Sequence, residues 1–337
     1  MTTDSVPANP DEELESFLAE APPPSPRAAY RLFALGSAFE QRGDYAKAVD
    51  CARRSLAIIE PLLPGNGGKY GDVIRFRALG LLGAALRQQG DYAAADAPLL
   101  LAIELAETMP EFPDRAASAW NNLGVLCKFA GWFDRGEEAY RRALAFAERI
   151  GNLPERDMTT ATILHNVGGL DHARGRFATA EEPSRRAWEI RRRHLGEDDP
   201  AVLADAVAYA AVLDGLGRYA ESRPIYERAL AVYERIFGPE HYETATTLHN
   251  LALVEHNEGH PDRAAERARR SYEIKVKLLG RNHPDTGLSA MNLASLLPAA
   301  DADEADALLT EALRAFETAL APDHPHIRRC RQLSIRP

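Results

Sequence analysis

Residues 248–284 read LHNLALVEHNEGHPDRAAERARRSYEIKVKLLGRNHP, two amphipathic helical patterns that meet at Gly259. Leu248, Leu251, Ala252 and Glu255 follow 3.6-residue spacing in the first. In the second, Ala264, Ala268, Ser271 and Tyr272 form a narrow stripe of mostly small residues, with arginines and glutamates opposite. It closes at Leu279-Gly280, before His283-Pro284. Neither helix buries its apolar side alone, so the pair needs neighbours of its own kind.

Those neighbours recur along the chain. The residues at the turn are Gly43, Gly90, Gly131, Gly175, Gly217, Gly259 and Asp301, at intervals of 47, 41, 44, 42, 42 and 42 residues. Two residues past the turn stands an aromatic: Tyr45, Tyr92, Phe133, Phe177 or Tyr219. Twelve past stands a small residue: Ser55, Ala102, Ala143, Ala187, Ala229 or Ser271. Seven before stand Gly36, Gly83, Gly124, Gly168, Ala210, Ala252 and Ala294. Small side chains at fixed points let two helices, and the next pair, approach closely, while the aromatic fills the wedge between them.

This pattern resembles the tetratricopeptide repeat in its long form of about 42 residues, as in kinesin light chains. The resemblance is carried by Asn122-Leu123-Gly124, Asn250-Leu251-Ala252 and Asn292-Leu293-Ala294, by Arg142-Ala143-Leu144 and Arg228-Ala229-Leu230, and by the joints 195–200 and 279–284. It implies an all-α fold, a right-handed α-solenoid of about seven helical-hairpin repeats over residues 29–337. The atypical seventh repeat and a polar helix from Pro325 would cap it. Residues 1–28 carry six prolines, and six carboxylates against Arg27 alone. They are expected to be a disordered tail, within which 11–20 (DEELESFLAE) is too short for a stable helix in water. That acidic stretch is also a candidate to plug the binding groove.

Net charge is −10, with no basic footprint for nucleic acid. No run of about 18 apolar residues is long enough to span a bilayer. The first 30 residues lack a secretory signal, and Cys51, Cys127 and Cys330 are too few and too scattered for a disulfide framework. A cytoplasmic protein is expected. The glycines before Lys69 fail as a phosphate loop, because none stands five residues before Gly68 and Tyr70 replaces the Ser/Thr. No catalytic motif is present, so neither an enzyme nor a cofactor is expected.

In the family resembled, the first helix of each repeat lines a concave groove, and asparagines nine before the turn grip a bound peptide's backbone. That implies a peptide site at Asn122, Asn166, Asn250 and Asn292, with Asn121, His165 and His249 one residue earlier. Arg87, Lys128, His172 and His256 stand three before the turn and Arg77 thirteen before. The arginines and the lysine would favour acidic residues. A primary amide suits a peptide backbone because it offers donors and an acceptor together; the same amides could instead bond neighbouring helices. His165 and His172, like His249 and His256, lie seven residues apart on one helix. That is roughly 10 Å, too far for two ligands of one metal ion. The expected function is a scaffold or adaptor binding a protein or peptide partner. The alternative is a ligand- or peptide-responsive regulator that changes the shape of its superhelix.

Overall fold

The structure, a computed structural model, describes residues 9–63, 68–319 and 325–334. Among them the chain forms sixteen α-helices and no strand. After α1 (Pro10–Glu20) they pair as hairpins: α2 (Pro26–Gln41) with α3 (Tyr45–Ile59), α4 (Gly68–Gln88) with α5 (Tyr92–Glu107), and α6 (Pro113–Ala130) with α7 (Phe133–Ala147). The next are α8 (Leu153–Ala173) with α9 (Phe177–Leu195), α10 (Pro200–Gly215) with α11 (Tyr219–Phe237), and α12 (Tyr242–Asn257) with α13 (Pro261–Leu279). The seventh pairs α14 (Pro284–Leu296) with α15 (Ala302–Ala319), and α16 (Pro325–Leu333) follows. The fold is thus an all-α repeat array. It divides into two compact bodies, Met1–Asn166 and Val167–Pro337. None of the described helices is long and apolar enough to cross a membrane.

Six of the seven hairpins turn the same way. Gly43, Gly90, Gly131, Gly175, Gly217 and Gly259 hold φ between +71° and +84°, a left-handed conformation open to glycine at little cost. The residue after each donates its N–H to the carbonyl five residues back. The pairs are Asp44 to Phe39, Asp91 to Leu86, Trp132 to Cys127, Arg176 to Asp171, Arg218 to Leu213 and His260 to Glu255, at 2.8–3.0 Å. This closes the helix end and aims the chain back along it. The joints after α9, α11 and α13 use Gly196, Gly238 and Gly280 at φ +82° to +89°. Asp199 then caps α10 by accepting from the Ala201 N–H, and His283 caps α14 through Nδ1.

The small residues lie where the spacing puts them. Ser55, Ala102, Ala143, Ala187, Ala229 and Ser271 are all buried. Both serines donate to a carbonyl of their own hairpin's first helix, Ser55 to Ala29 and Ser271 to Ala245, each at 2.7 Å. The wedge aromatic is visible at Phe177, whose ring would overlap any side chain added at Gly215 of the next hairpin. Glu255, charged within an apolar spacing, is fully buried. Its carboxylate is held by Arg267 and Arg263, both at 2.8 Å, with Arg223 at 3.7 Å. Helices α5, α9 and α11 run unbroken through Pro98, Pro183 and Pro224.

One expectation is corrected. Residues 10–20 form the helix α1 rather than a disordered tail, and they do not sit on Arg77, Arg87 or Lys128. Phe17 is 4% exposed and packs on Ala28 and Leu32, with Leu14 and Ile58 alongside. Asp11 pairs with Arg42 and Lys47, and Glu20 with Arg31 at 3.1 Å. The stretch is too short to hold itself helical, and tertiary burial supplies what propensity lacks. Residues 1–8 lie outside the described set.

Two glycines inside helices separate packing from propensity. At Gly124 an added methyl would overlap the Tyr140 ring, whereas at Gly80 nothing lies within 4 Å. Gly124→Ala should therefore cost about 1–3 kcal/mol by overpacking. Gly80→Ala should stabilise by about 0.5–1 kcal/mol, through helix propensity alone. Urea unfolding of the two variants checks the opposite signs.

Candidate peptide-binding cleft

In the first body, α2, α4 and α6 pack side by side. Across them runs a cleft of about 450 Å³. Phe33, Ser37 and Glu40 line it from α2, and Phe76, Arg77, Gly80, Leu81, Ala84 and Arg87 from α4. Ser118, Ala119 and Asn122 line it from α6, and Leu99 and Ala102 of α5 close the floor. Gly80 is the cause of the space. It stands ten before its turn, where other hairpins carry Phe33, Asn121, His165, Val207, His249 and Met291. At Gly80 α4 adds no side chain to the cleft, and nothing lies within 4 Å of where one would begin.

The cleft's electrostatics are lopsided. Arg77 lies over the Phe33 ring, 5.9 Å from its centroid. Arg87 and Lys128 both lie against Phe129, at 5.1 Å and 4.9 Å, and that ring is 49% exposed. Burial lowers the pKa of Arg87, and the charge of Glu40 opposes the fall. Burial likewise lowers that of Lys128, and repulsion from Arg87 adds to it. Among the described residues Lys128 has no carboxylate partner. Two crowded cations facing one acid form a site that an added anion relieves.

The asparagines divide by their neighbours. Asn166 Nδ2 donates to Asn121 Oδ1 at 2.9 Å, and Asn292 Nδ2 meets His249 Nε2 at 3.0 Å. In both, the residue nine before one turn bonds the residue ten before the preceding turn. The residues occupying that second position for Asn122 and Asn250 are Gly80 and Val207, which offer no polar side chain. Neither amide has a hydrogen-bond partner among the described residues. Asn166 and Asn292 therefore tie helices together, while Asn122 and Asn250 keep their donors and acceptor free.

Of the twelve residues expected to bind peptide, Arg77, Arg87 and Asn122 share the cleft, and Lys128 adjoins it through Phe129. Asn121 belongs to a separate, smaller cleft with Thr159 and Thr162, next to the half-buried His165 and Asn166. His172, His249, Asn250, His256 and Asn292 belong to the second body. There His172 and His256 are exposed, His172 lying edge-on to Phe177, and Asn292 is nearly buried. Glu40, Phe33 and Gly80 were not expected. Their signal was present in the sequence, because Gly80 breaks the row of larger residues ten before the turn.

Models of the tetratricopeptide repeat match residues 32–63, 76–109, 117–149, 159–234 and 203–275. The chain belongs to the tetratricopeptide-repeat family. Its repeat spacing is of the long, kinesin-light-chain-like type. This tetratricopeptide array is 25% identical to a solved neighbour, BtubC (BKLC) of P. vanneervenii. That likeness covers 72% of this chain and 94% of that one, with a TM-score of 0.53. The Rap conjugation gene regulator of plasmid pLS20, solved with the Phr* peptide, shares the fold at 17% identity. Its TM-score is 0.65, over 96% of this chain and 82% of that one. The quorum sensor NprR of B. thuringiensis, in its apo form, does so at 13% identity and TM-score 0.66, over 91% and 81%. A clustered mitochondria protein homolog of Aspergillus fumigatus is 29% identical over 170 residues. That is half of this chain and 13% of the relative's length.

The division among the asparagines is measurable. Asn166→Ala and Asn292→Ala should each lose about 0.5–1.5 kcal/mol of stability. Asn122→Ala and Asn250→Ala should stay within about 0.5 kcal/mol of wild type in the same urea titration. His249 adds a pH signature. Burial, reinforced by Lys275, pushes its pKa down to about 4. Below about pH 6.5 the unfolded chain takes up a proton that the folded ring refuses. Its contribution is therefore complete above that pH and is lost as the pH falls toward 4. His249→Gln should remove up to about 3 kcal/mol of that slope, read as melting temperature against pH.

Proposed function

We propose that this protein is an interaction scaffold that binds an acidic, partly apolar peptide segment of a partner protein across α2, α4 and α6. The observation that carries this reading is the cleft over Gly80, ringed by Arg77, Arg87 and Asn122. Each wall has a distinct part. Phe33, Phe76, Leu81 and Ala84 offer an apolar well for one side chain. Asn122, free of partners, bonds the peptide backbone through donor and acceptor alike. Arg87 and Lys128 attract a carboxylate on the flanking residue, where desolvation strengthens their pull.

The lining favours binding over turnover. Ser37 and Ser118 bring hydroxyls, but among the described residues no histidine or cysteine lines the cleft to activate them or act in their stead. A fold neighbour solved with a peptide supports the same reading by analogy of architecture.

The test is an array of synthetic decapeptides graded in acidity and apolar content, followed by fluorescence anisotropy on those that bind. Binding should select peptides that join a large apolar residue to glutamate or aspartate. Gly80→Leu fills the well from its floor, so affinity should fall at least tenfold while the melting temperature holds or rises. Arg87→Ala should weaken binding about threefold to tenfold, more at low salt than at high. If Gly80→Leu leaves the affinity of the best peptide unchanged, the cleft is not the site.

A further inference from the structure

We propose that Glu40 sets the charge selectivity of this cleft: its carboxylate competes internally for Arg87, and an acidic segment binds with uptake of a proton there. The inference rests on the peptide-binding reading above and concerns the regulation of the same site.

The three helices present a row of charge. Glu40 on α2, Arg87 on α4 and Lys128 on α6 each stand three residues before their turn glycine, so the packing of α2, α4 and α6 orders them as acid, base, base. Glu40 and Arg87 line the same cleft. They interact through space yet make no direct ion pair, and Arg87 Nη1 donates to Gln88 Oε1 at 3.1 Å instead. A carboxylate held in a cleft wall without a hydrogen-bond donor is poorly solvated in its charged form. Burial raises the pKa of Glu40, and only the field of Arg87 opposes the rise.

An incoming carboxylate at Arg87 and Lys128 places a second negative charge across the gap. Two acids sharing one site do not both stay ionised, so the one with the weaker partner takes a proton. That is Glu40, and the proton comes from solvent. Once neutral, its O–H turns from a repelling acceptor into a donor toward the ligand. The other charged groups around this end of α2 are accounted for. From α3, Asp44 and Lys47 pair at 3.3 Å, and Lys47 also holds Asp11 of α1. Arg42, which follows the last residue of α2, pairs with Asp11. From α4, Arg77 and Arg87 keep their charge throughout the range. From α6, Lys128, whose pKa is lowered by burial and by Arg87, is the other group an anion would help to protonate, so the Glu40→Gln variant below separates the two. Among the described residues no histidine lines the cleft.

The experiment uses the full chain and a fluorescein-labelled pentapeptide alternating glutamate with leucine. Affinity is measured from pH 5.5 to 8.0, above the range in which the probe's own carboxylates titrate. Proton uptake is measured by calorimetry in two buffers of different ionisation enthalpy. The wild type should bind at least threefold tighter at pH 5.5 than at pH 8.0, with net proton uptake on binding. Glu40→Gln should bind at least threefold tighter than wild type at pH 8.0, with a flat profile and no uptake. If both proteins bind with the same slope and uptake, Glu40 has no such role, although the cleft reading stands. If neither binds, or if Gly80→Leu binds as well as wild type, the cleft reading itself falls and this inference with it.

Discussion

The array depends on how closely the two helices of a hairpin approach at one level. Seven residues before the turn, Gly83, Gly124 and Gly168 present bare backbone to Leu99, Tyr140 and Ser184, nine residues past it. No side chain would fit between. Gly36 meets the same limit from Cys51 and, in the next hairpin, from Leu81, whose Cδ2 would lie 2.8 Å from an added carbon. Contact at this range multiplies small dispersion gains along the whole helix pair. It also demands that the chain reverse within three residues, which the left-handed glycine and its carbonyl bond provide.

Because that interior face is so constrained, variation is left to the other face of the first helices, and polar and charged side chains gather there. The same positions on successive hairpins become rows: glutamate, arginine and lysine three before the turn, asparagine nine before. A row has meaning only through its neighbours. An amide beside another amide or a histidine bonds it and stiffens the array, as Asn166 and Asn292 do. An amide beside glycine, like Asn122, is left for something else. The cleft lies where the row ten before the turn is interrupted, at the residue without a side chain.

The ends of the array follow another logic. Helix α1 packs on the first hairpin with Phe17 and Leu14, while its acids reach Arg31, Arg42 and Lys47. At the other end Ile327 and Cys330 of α16 are fully buried against the last hairpin. Both are short helices that borrow stability from the hairpins they pack on.

The sequence by itself determined the helices, their pairing and their turns, because these obey local rules: 3.6-residue periodicity, glycine where φ is positive, proline and a capping side chain where a helix begins. It also marked the face on which Arg77, Arg87, Asn122 and Lys128 lie, since equal steps from equivalent turns land on equivalent surfaces. Only the tertiary structure decided which asparagines are engaged, that Glu255 is buried among three arginines, that α1 folds against α2, and that Gly80 opens a cleft. Each of these depends on what stands opposite, for the asparagines a side chain 43 or 45 residues away. Periodicity fixes the position of a side chain on its own helix, but burial, desolvation and hydrogen bonding are properties of a pair.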